Sequence, residues 1–207
     1  MPTDPISDEQ LAQQSQKGSL SAFDELVRRH GKRMFYFLNK KTGDSRNAEE
    51  IAQNTFIVAH RKIHQFRPKH AFITWLFAIA RRQAIDHYRQ NKRHADLTES
   101  RNDEIPLAVD ARTPASLLSD KENHAALWGT IRELVSDDHF TVLWLKYEED
   151  FPVSDIAVAM KKTKTHVKVM LHRARQRLIE HLPSPIEGSF NGHSSPAENS
   201  NIPISQP

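Results

Sequence analysis

Between Ile156 and Ile179 the chain carries seven lysines and arginines, Lys161, Lys162, Lys164, Lys168, Arg173, Arg175 and Arg177, and no aspartate or glutamate. A cationic stretch without acids is suited to an anionic partner. Its internal pattern narrows the partner further. A short helical segment with Ile156, Ala157 and Met160, a tight turn, and an amphipathic segment with Val167, Leu171, Ala174 and Leu178 inward have helix-turn-helix spacing. That spacing leaves Thr163, Lys164, His166, Lys168, Val169, His172, Arg173 and Arg175 outward. From there a helix in the major groove reaches base edges and phosphates. A basic helix by itself is equally a solvated face. The missing acids and the short preceding helix favour DNA.

A second basic cluster, Arg81, Arg82, Arg89, Lys92 and Arg93, is separated from the first by Asp96, Glu99, Asp103, Glu104, Asp110, Asp120 and Glu122. The order along the chain is therefore basic, acidic, basic. Arginines and lysines so clustered track phosphates and give affinity without much sequence information. Enzyme-like coincidences are weaker. His60 and His64 sit one helical turn apart, but no Glu follows His60 in the metalloprotease pattern and no third ligand is evident. Asp86-His87-Tyr88 has acid-base groups, yet a chain with six glycines holds no Gly-rich phosphate loop. The absence of cysteine removes disulfides, thiolate catalysis and Cys-based zinc sites. No catalytic residue, metal site or cofactor is expected.

The elements that must hold these residues read as helices. Ser7 with Gln10 forms a capping box, and Gly18-Ser19 punctuates before a helix with Phe23, Leu26 and Val27, then Met34, Phe35, Phe37 and Leu38, with a bend expected at Gly31. Thr42-Gly43-Asp44-Ser45 reads as a stop and a new cap, followed by Ala48, Ile51, Ala52, Phe56, Ala59 and Ile63 at helical spacing up to Phe66. Pro68 breaks that helix, and another starts at Ala71, carrying Phe72, Trp75, Leu76, Ile79 and Ala80. A cap at Ser119-Asp120 opens a helix with Leu127, Trp128, Ile131 and Leu134. Helices over about 137–148, 153–160 and 163–181 follow. The expected fold class is all-α, two small helical domains joined by a flexible linker, the C-terminal one a helix-turn-helix. The expected boundaries are 1–94, an acidic linker over 95–118, 119–182, and a disordered tail over 183–207. In 207 residues each domain owns only a modest core. No apolar run approaches the roughly 20 residues of a membrane span. The start, Met1-Pro2-Thr3-Asp4, lacks a signal peptide, so the expectation is a cytoplasmic protein without membrane insertion.

These segments resemble a family. Asp155-Ile156-Ala157, His166-Val167-Lys168 and Leu171-His172-Arg173-Ala174-Arg175 look like the fourth region of extracytoplasmic-function (ECF) sigma factors, which recognises the -35 promoter element. Ala22-Phe23-Asp24-Glu25-Leu26, Ala48-Glu49-Glu50-Ile51-Ala52-Gln53, Phe56, Phe72, Thr74-Trp75-Leu76, Ile79-Ala80-Arg81 and Asp86 look like that family's second region. The resemblance covers about residues 8–94 and 120–181. It implies core RNA polymerase and promoter DNA as partners and no catalysis. It further implies an anti-sigma factor, since many such proteins are held inactive by one that covers both domains.

The resemblance also implies roles. The helix over about 46–63 would dock on a coiled coil of the polymerase's largest subunit through Glu50, Gln53 and Asn54. Residues 66–71 and the following helix match the element that melts the -10 region and holds an extruded base. Opening DNA needs a pocket for the base and cations for the strand, and Arg67, Lys69, His70 and Phe72 are the candidates, with Arg81, Arg82 and Arg89 along the phosphates. Trp75 reads as core. The eight outward residues from Thr163 to Arg175 would face the -35 element. Some positions depart from the family's pattern. Asn54 stands where an acid is usual, Arg82 where Asn is common and Ile73 where a polar residue is usual. Lys161 takes a turn position often held by Gly, and Val169 suits a thymine methyl better than a guanine. The rival reading is a free-standing two-domain helix-turn-helix regulator, which would bind duplex DNA without polymerase.

Overall fold

The computed structural model describes residues 6–98 and 120–181. The bulk of the acidic linker, the cap expected at Ser119 and the tail lie outside the described residues. Those described form α1 (Asp8–Gln16), α2 (Leu20–Thr42), α3 (Ser45–Lys62), a 3-10 turn (Ile63–Gln65), α4 (Phe72–Thr98), α5 (Asp120–Leu134), α6 (Asp137–Tyr147), α7 (Val153–Met160) and α8 (Lys164–His181). The fold class is all-α, with two helical regions in chain order, α1–α4 and α5–α8.

Local chemistry sets most boundaries. The Ser7 hydroxyl accepts from Gln10 N at 3.2 Å while Ser7 N donates to Gln10 Oε1 at 2.9 Å, closing the capping box of α1. Gly43 ends α2 in the left-handed region (φ 73°). The Asp44 carboxylate then accepts from Arg46 N and Asn47 N at 2.8 and 3.0 Å to start α3. α2 runs without interruption from Leu20 to Thr42, through Gly31. Buried Leu26, Met34 and Phe37 anchor both sides of it. A helical glycine costs only about 1 kcal/mol, less than those side chains contribute. The long helix α4 runs on to Thr98, and the amide of its first residue, Phe72, donates at 3.1 Å to Glu9 Oε1 of α1. That cap is 63 residues away in sequence.

In the first unit α1 crosses α2, and α3 lies between α2 and α4. In the second, α8 packs on α6 and α7. The two units do not keep separate cores. α4 lies on α7 and α2 on α5 and α6, so one apolar cluster runs from Leu11 through Phe37, Phe77 and Trp144 to Leu178. Outside it, Glu25 is held by Arg28 and Arg29 at 2.6–2.7 Å. Hydrogen bonds from Arg28 and then Arg29 lower its carboxyl from the ordinary 4.5 to about 2. A lowered folded value means this cluster supports the fold above pH 4.5 and is lost as pH falls through about 2.

Lys161 adopts φ 52°, ψ 46°, a left-handed conformation in which a side chain is strained. Lys161→Gly is therefore expected to stabilise the chain by about 1 kcal/mol, the relief of strain exceeding the entropy that glycine adds to the unfolded state. A higher midpoint in urea denaturation would show it, and a lower one would mean that the lysine side chain outweighs its backbone.

Candidate functional site

Helix α8 is opened by Thr163, whose hydroxyl accepts from His166 N at 3.2 Å. The inward residues Val167, Leu171, Ala174 and Leu178 are buried, together with Met170. All eight expected DNA-facing residues, Thr163, Lys164, His166, Lys168, Val169, His172, Arg173 and Arg175, are exposed. Two are partly engaged. The Thr163 hydroxyl serves the helix cap, and Arg175 Nε donates to Tyr147 Oη at 2.5 Å with its guanidinium over the ring at 5.6 Å. Arg177 turns back to donate to Leu134 O at 2.8 Å. Lys164 and Lys168 lie in the N-terminal half of the helix, the half that enters a groove, and Arg173 and Arg175 follow just past its midpoint.

On α3, Ala48, Ile51, Ala52, Thr55, Phe56 and Ala59 are buried. Glu50, Gln53 and Asn54 lie exposed on the other side, and the Glu50 side chain is 61% accessible. Beside them a shallow apolar groove of about 290 Å³ opens between α2 and α3, lined by Phe23, Val27, Phe56, Ile57 and His60 among others. Ile57 is 48% exposed and was not singled out in the sequence. Its spacing of four from Gln53 on a polar face was the available signal.

The segment from Phe66 to Phe72 divides. Arg67 and Lys69 are exposed, and Arg67 Nη1 donates to His64 O at 2.8 Å. His70 is half-buried, with Nδ1 3.6 Å from Asp155. Phe72 was expected among the base-contacting groups and is instead core. It is 0% exposed, with ring centroids 5.7 Å from Phe66, Trp75 and His30. The cap from Glu9 and the packing of His30 pull it inward. Arg82 and Arg89 are exposed. Arg81 is 18% accessible and donates to Asp138 Oδ1 at 2.6 Å through Nη2. Arg81, Arg82 and Arg89 line one cavity of about 150 Å³ with Asp86 and with Lys161 from the helix-turn-helix turn.

The arrangement is thus a basic helix-turn-helix, a polar helix face, and a basic helix, and comparison with known proteins names it. Residues 26–94 match the Sigma-70 region 2 family and residues 136–178 match Sigma-70, region 4. The RNA polymerase sigma-H factor of Pseudomonas aeruginosa is 30% identical over 177 residues, covering 83% of this chain and 91% of that protein. ECF RNA polymerase sigma factor SigW of Bacillus subtilis is 27% identical over 174 residues, covering 82% and 93%. The chain belongs to the ECF branch of the sigma-70 family. As a sigma factor it directs RNA polymerase to promoters and catalyses nothing itself. The match of both regions, in order, sets aside the free-standing regulator. In fold the sigma factor is similar to CnrH, solved in complex with the cytosolic domain of CnrY (TM-score 0.61, 20% identity, covering 84% of this chain and 95% of that one). It is also similar to RpoE of Bartonella quintana, solved with the anti-sigma factor NepR (TM-score 0.60, 21% identity, 78% and 96%). No helix among the described residues is long and apolar enough to cross a membrane.

Proposed function

We propose a division of labour within this sigma factor. Helix α3 docks on core polymerase through Glu50, Gln53 and Asn54. The exposed cations Arg67, Lys69, Arg82 and Arg89, with His70 and Arg81, handle the opened -10 region, and α8 reads the -35 element. The observation that carries the reading is the clean split of α8 into a buried apolar side and an exposed side bearing Lys164, His166, Lys168, Val169, His172, Arg173 and Arg175. Phosphate contacts from the lysines would position the helix, and Arg173, Val169 and the histidines would meet bases. The chain acts in the cytoplasm, where polymerase and promoters are. An anti-sigma factor is its further partner, a reading supported by the complex with the anti-sigma factor NepR in which RpoE was solved.

Transcription in vitro with core polymerase and genomic DNA tests this. Adding the protein should create new transcript starts. No new start, with the free protein alone protecting duplex DNA, would refute it. Arg173→Ala should weaken promoter binding by holoenzyme by about 1–3 kcal/mol if the side chain reaches a base. An equal loss on unrelated DNA would make Arg173 a phosphate contact.

A further inference from the structure

The loop from Phe66 to Phe72 is held at both ends by a helix that is far from it in sequence. Glu9 and Gln16 stand seven residues apart on α1, two turns of helix, and so share one face. Gln16 Nε2 donates to Ile63 O at 2.8 Å and to Phe66 O at 2.9 Å, and the Glu9 carboxylate accepts from Phe72 N at 3.1 Å. One side chain therefore grips the 3-10 turn where the chain leaves α3, and the other grips the amide that opens α4. All three groups held are backbone groups, so the grip does not depend on the loop's own side chains.

Helix α1 is itself fixed. Its capping box is closed by Ser7 and Gln10, and Leu11 and Ala12 are buried. Asp8 pairs with Arg29 at 2.9 Å and lies 2.6 Å from Nε2 of His30, both on α2. At about 1.5 Å per residue the two anchors stand about 10 Å apart along the helix. The segment 66–72 could extend to roughly 20 Å, so between those anchors it must bow outward. The burial pattern agrees. Phe66 and Phe72 are buried with ring centroids 5.7 Å apart, while Arg67, Pro68, Lys69 and Ala71 between them are exposed. Arg67 Nη1 donates at 3.1 Å to Phe66 O, the carbonyl that Gln16 also holds, so that cation is oriented beside the same anchor.

We propose that α1 is the positioning element of the -10 loop, Glu9 and Gln16 forming a two-point clamp that holds Arg67 and Lys69 ready for single-stranded DNA. The proposal rests on the reading above that this loop handles the opened -10 region. The contribution of the clamp is preorganisation, because a loop already bowed outward loses less conformational freedom when a strand binds. The charge of Glu9 separates this role from a direct contact. A carboxylate beside a phosphate backbone repels it, so removing Glu9 would tighten strand binding if charge alone counted.

Two measurements on Glu9→Ala, Glu9→Gln and Gln16→Met test the clamp. In the free chain, amide hydrogen exchange over 66–75 should quicken about tenfold in Glu9→Ala and Gln16→Met. It should stay near the parent rate in Glu9→Gln, whose amide oxygen still accepts from Phe72 N. The second measurement takes holoenzyme and single-stranded oligonucleotides carrying either strand of the -10 region of a promoter mapped by the transcription assay above. Binding should weaken about tenfold in Glu9→Ala and Gln16→Met, and Glu9→Gln should bind at least as well as the parent. Association with core polymerase should be unchanged. Gln16 is exposed, so Gln16→Met carries the test if Glu9→Ala lowers the melting temperature. Unchanged exchange overturns the clamp, and so does unchanged strand binding where exchange has quickened. Tighter binding by Glu9→Ala overturns it as well, and lost association with core polymerase would place α1 at the polymerase instead. Lys69→Ala judges the underlying reading. If it leaves strand binding intact, the loop does not handle the -10 region and the clamp falls with that reading. If it weakens binding while the clamp variants do not, the clamp alone fails.

Discussion

Trp144→Ala is expected to lower the stability of the chain by about 3–5 kcal/mol, as for other fully buried aromatic truncations. Trp144 is 0% exposed and meets Tyr36 and Phe37 from region 2 and Trp128 and Phe140 from region 4. Its indole Nε1 donates to Glu149 Oε1 at 2.9 Å, and that buried carboxylate is also the partner of Arg33. Removing the indole therefore leaves a cavity at the meeting point of both regions and deprives a 3%-exposed anion of a donor. Set against a total of about 5–15 kcal/mol for a folded domain, such a loss brings the variant close to unfolding. Urea denaturation followed by circular dichroism measures it. A loss below about 1 kcal/mol would mean that Trp144 is solvated for much of the time. Phe37→Ala should be non-additive with it, because the two rings share one contact.

What was legible in the sequence is what local chemistry decides. Ser7 with Gln10, Gly43 and Asp44 mark helix ends because caps are satisfied within a few residues of the amides that they serve. The inward and outward sides of α8 follow from spacing alone, and Lys161, at a turn position often held by Gly, takes a left-handed conformation. What was not legible depends on residues far apart in the chain. Phe72 sits in a loop rich in strand-binding chemistry, and only Glu9, His30 and Phe66, brought up by tertiary packing, show that it is core. Lys41 at the end of a helix and Asp137 at the start of another are what capping preferences would place on a solvated surface. Nothing in either neighbourhood says that they pair where the two regions meet. Aromatic residues such as Phe77 and Phe151 likewise read as members of two modest cores, and the single cluster that they form arises from the contact of the two regions.

Glu50→Lys is expected to abolish association with core polymerase while leaving the fold intact. The carboxylate stands on the exposed face of α3, with His87 Nε2 3.6 Å away, so its reversal should change stability by no more than about 0.5 kcal/mol. If the partner surface is basic, as the proposed docking requires, the same change would replace attraction by like-charge contact. That costs several kcal/mol, on the order of a hundredfold or more in affinity. Co-purification of tagged protein with core polymerase, alongside thermal melting, separates the two effects. Unchanged co-purification would remove α3 as the docking helix. Gln53→Ala and Asn54→Ala should each weaken binding by about 1 kcal/mol, since each loses a neutral hydrogen bond. Asn54→Asp acts in the opposite direction. It supplies the acid that the family usually carries at this position, and on a face already bearing Glu50 it should tighten polymerase binding if the partner is basic. A tighter Asn54→Asp complex beside a lost Glu50→Lys complex would establish the sign of the field across that surface, which neither variant alone can do.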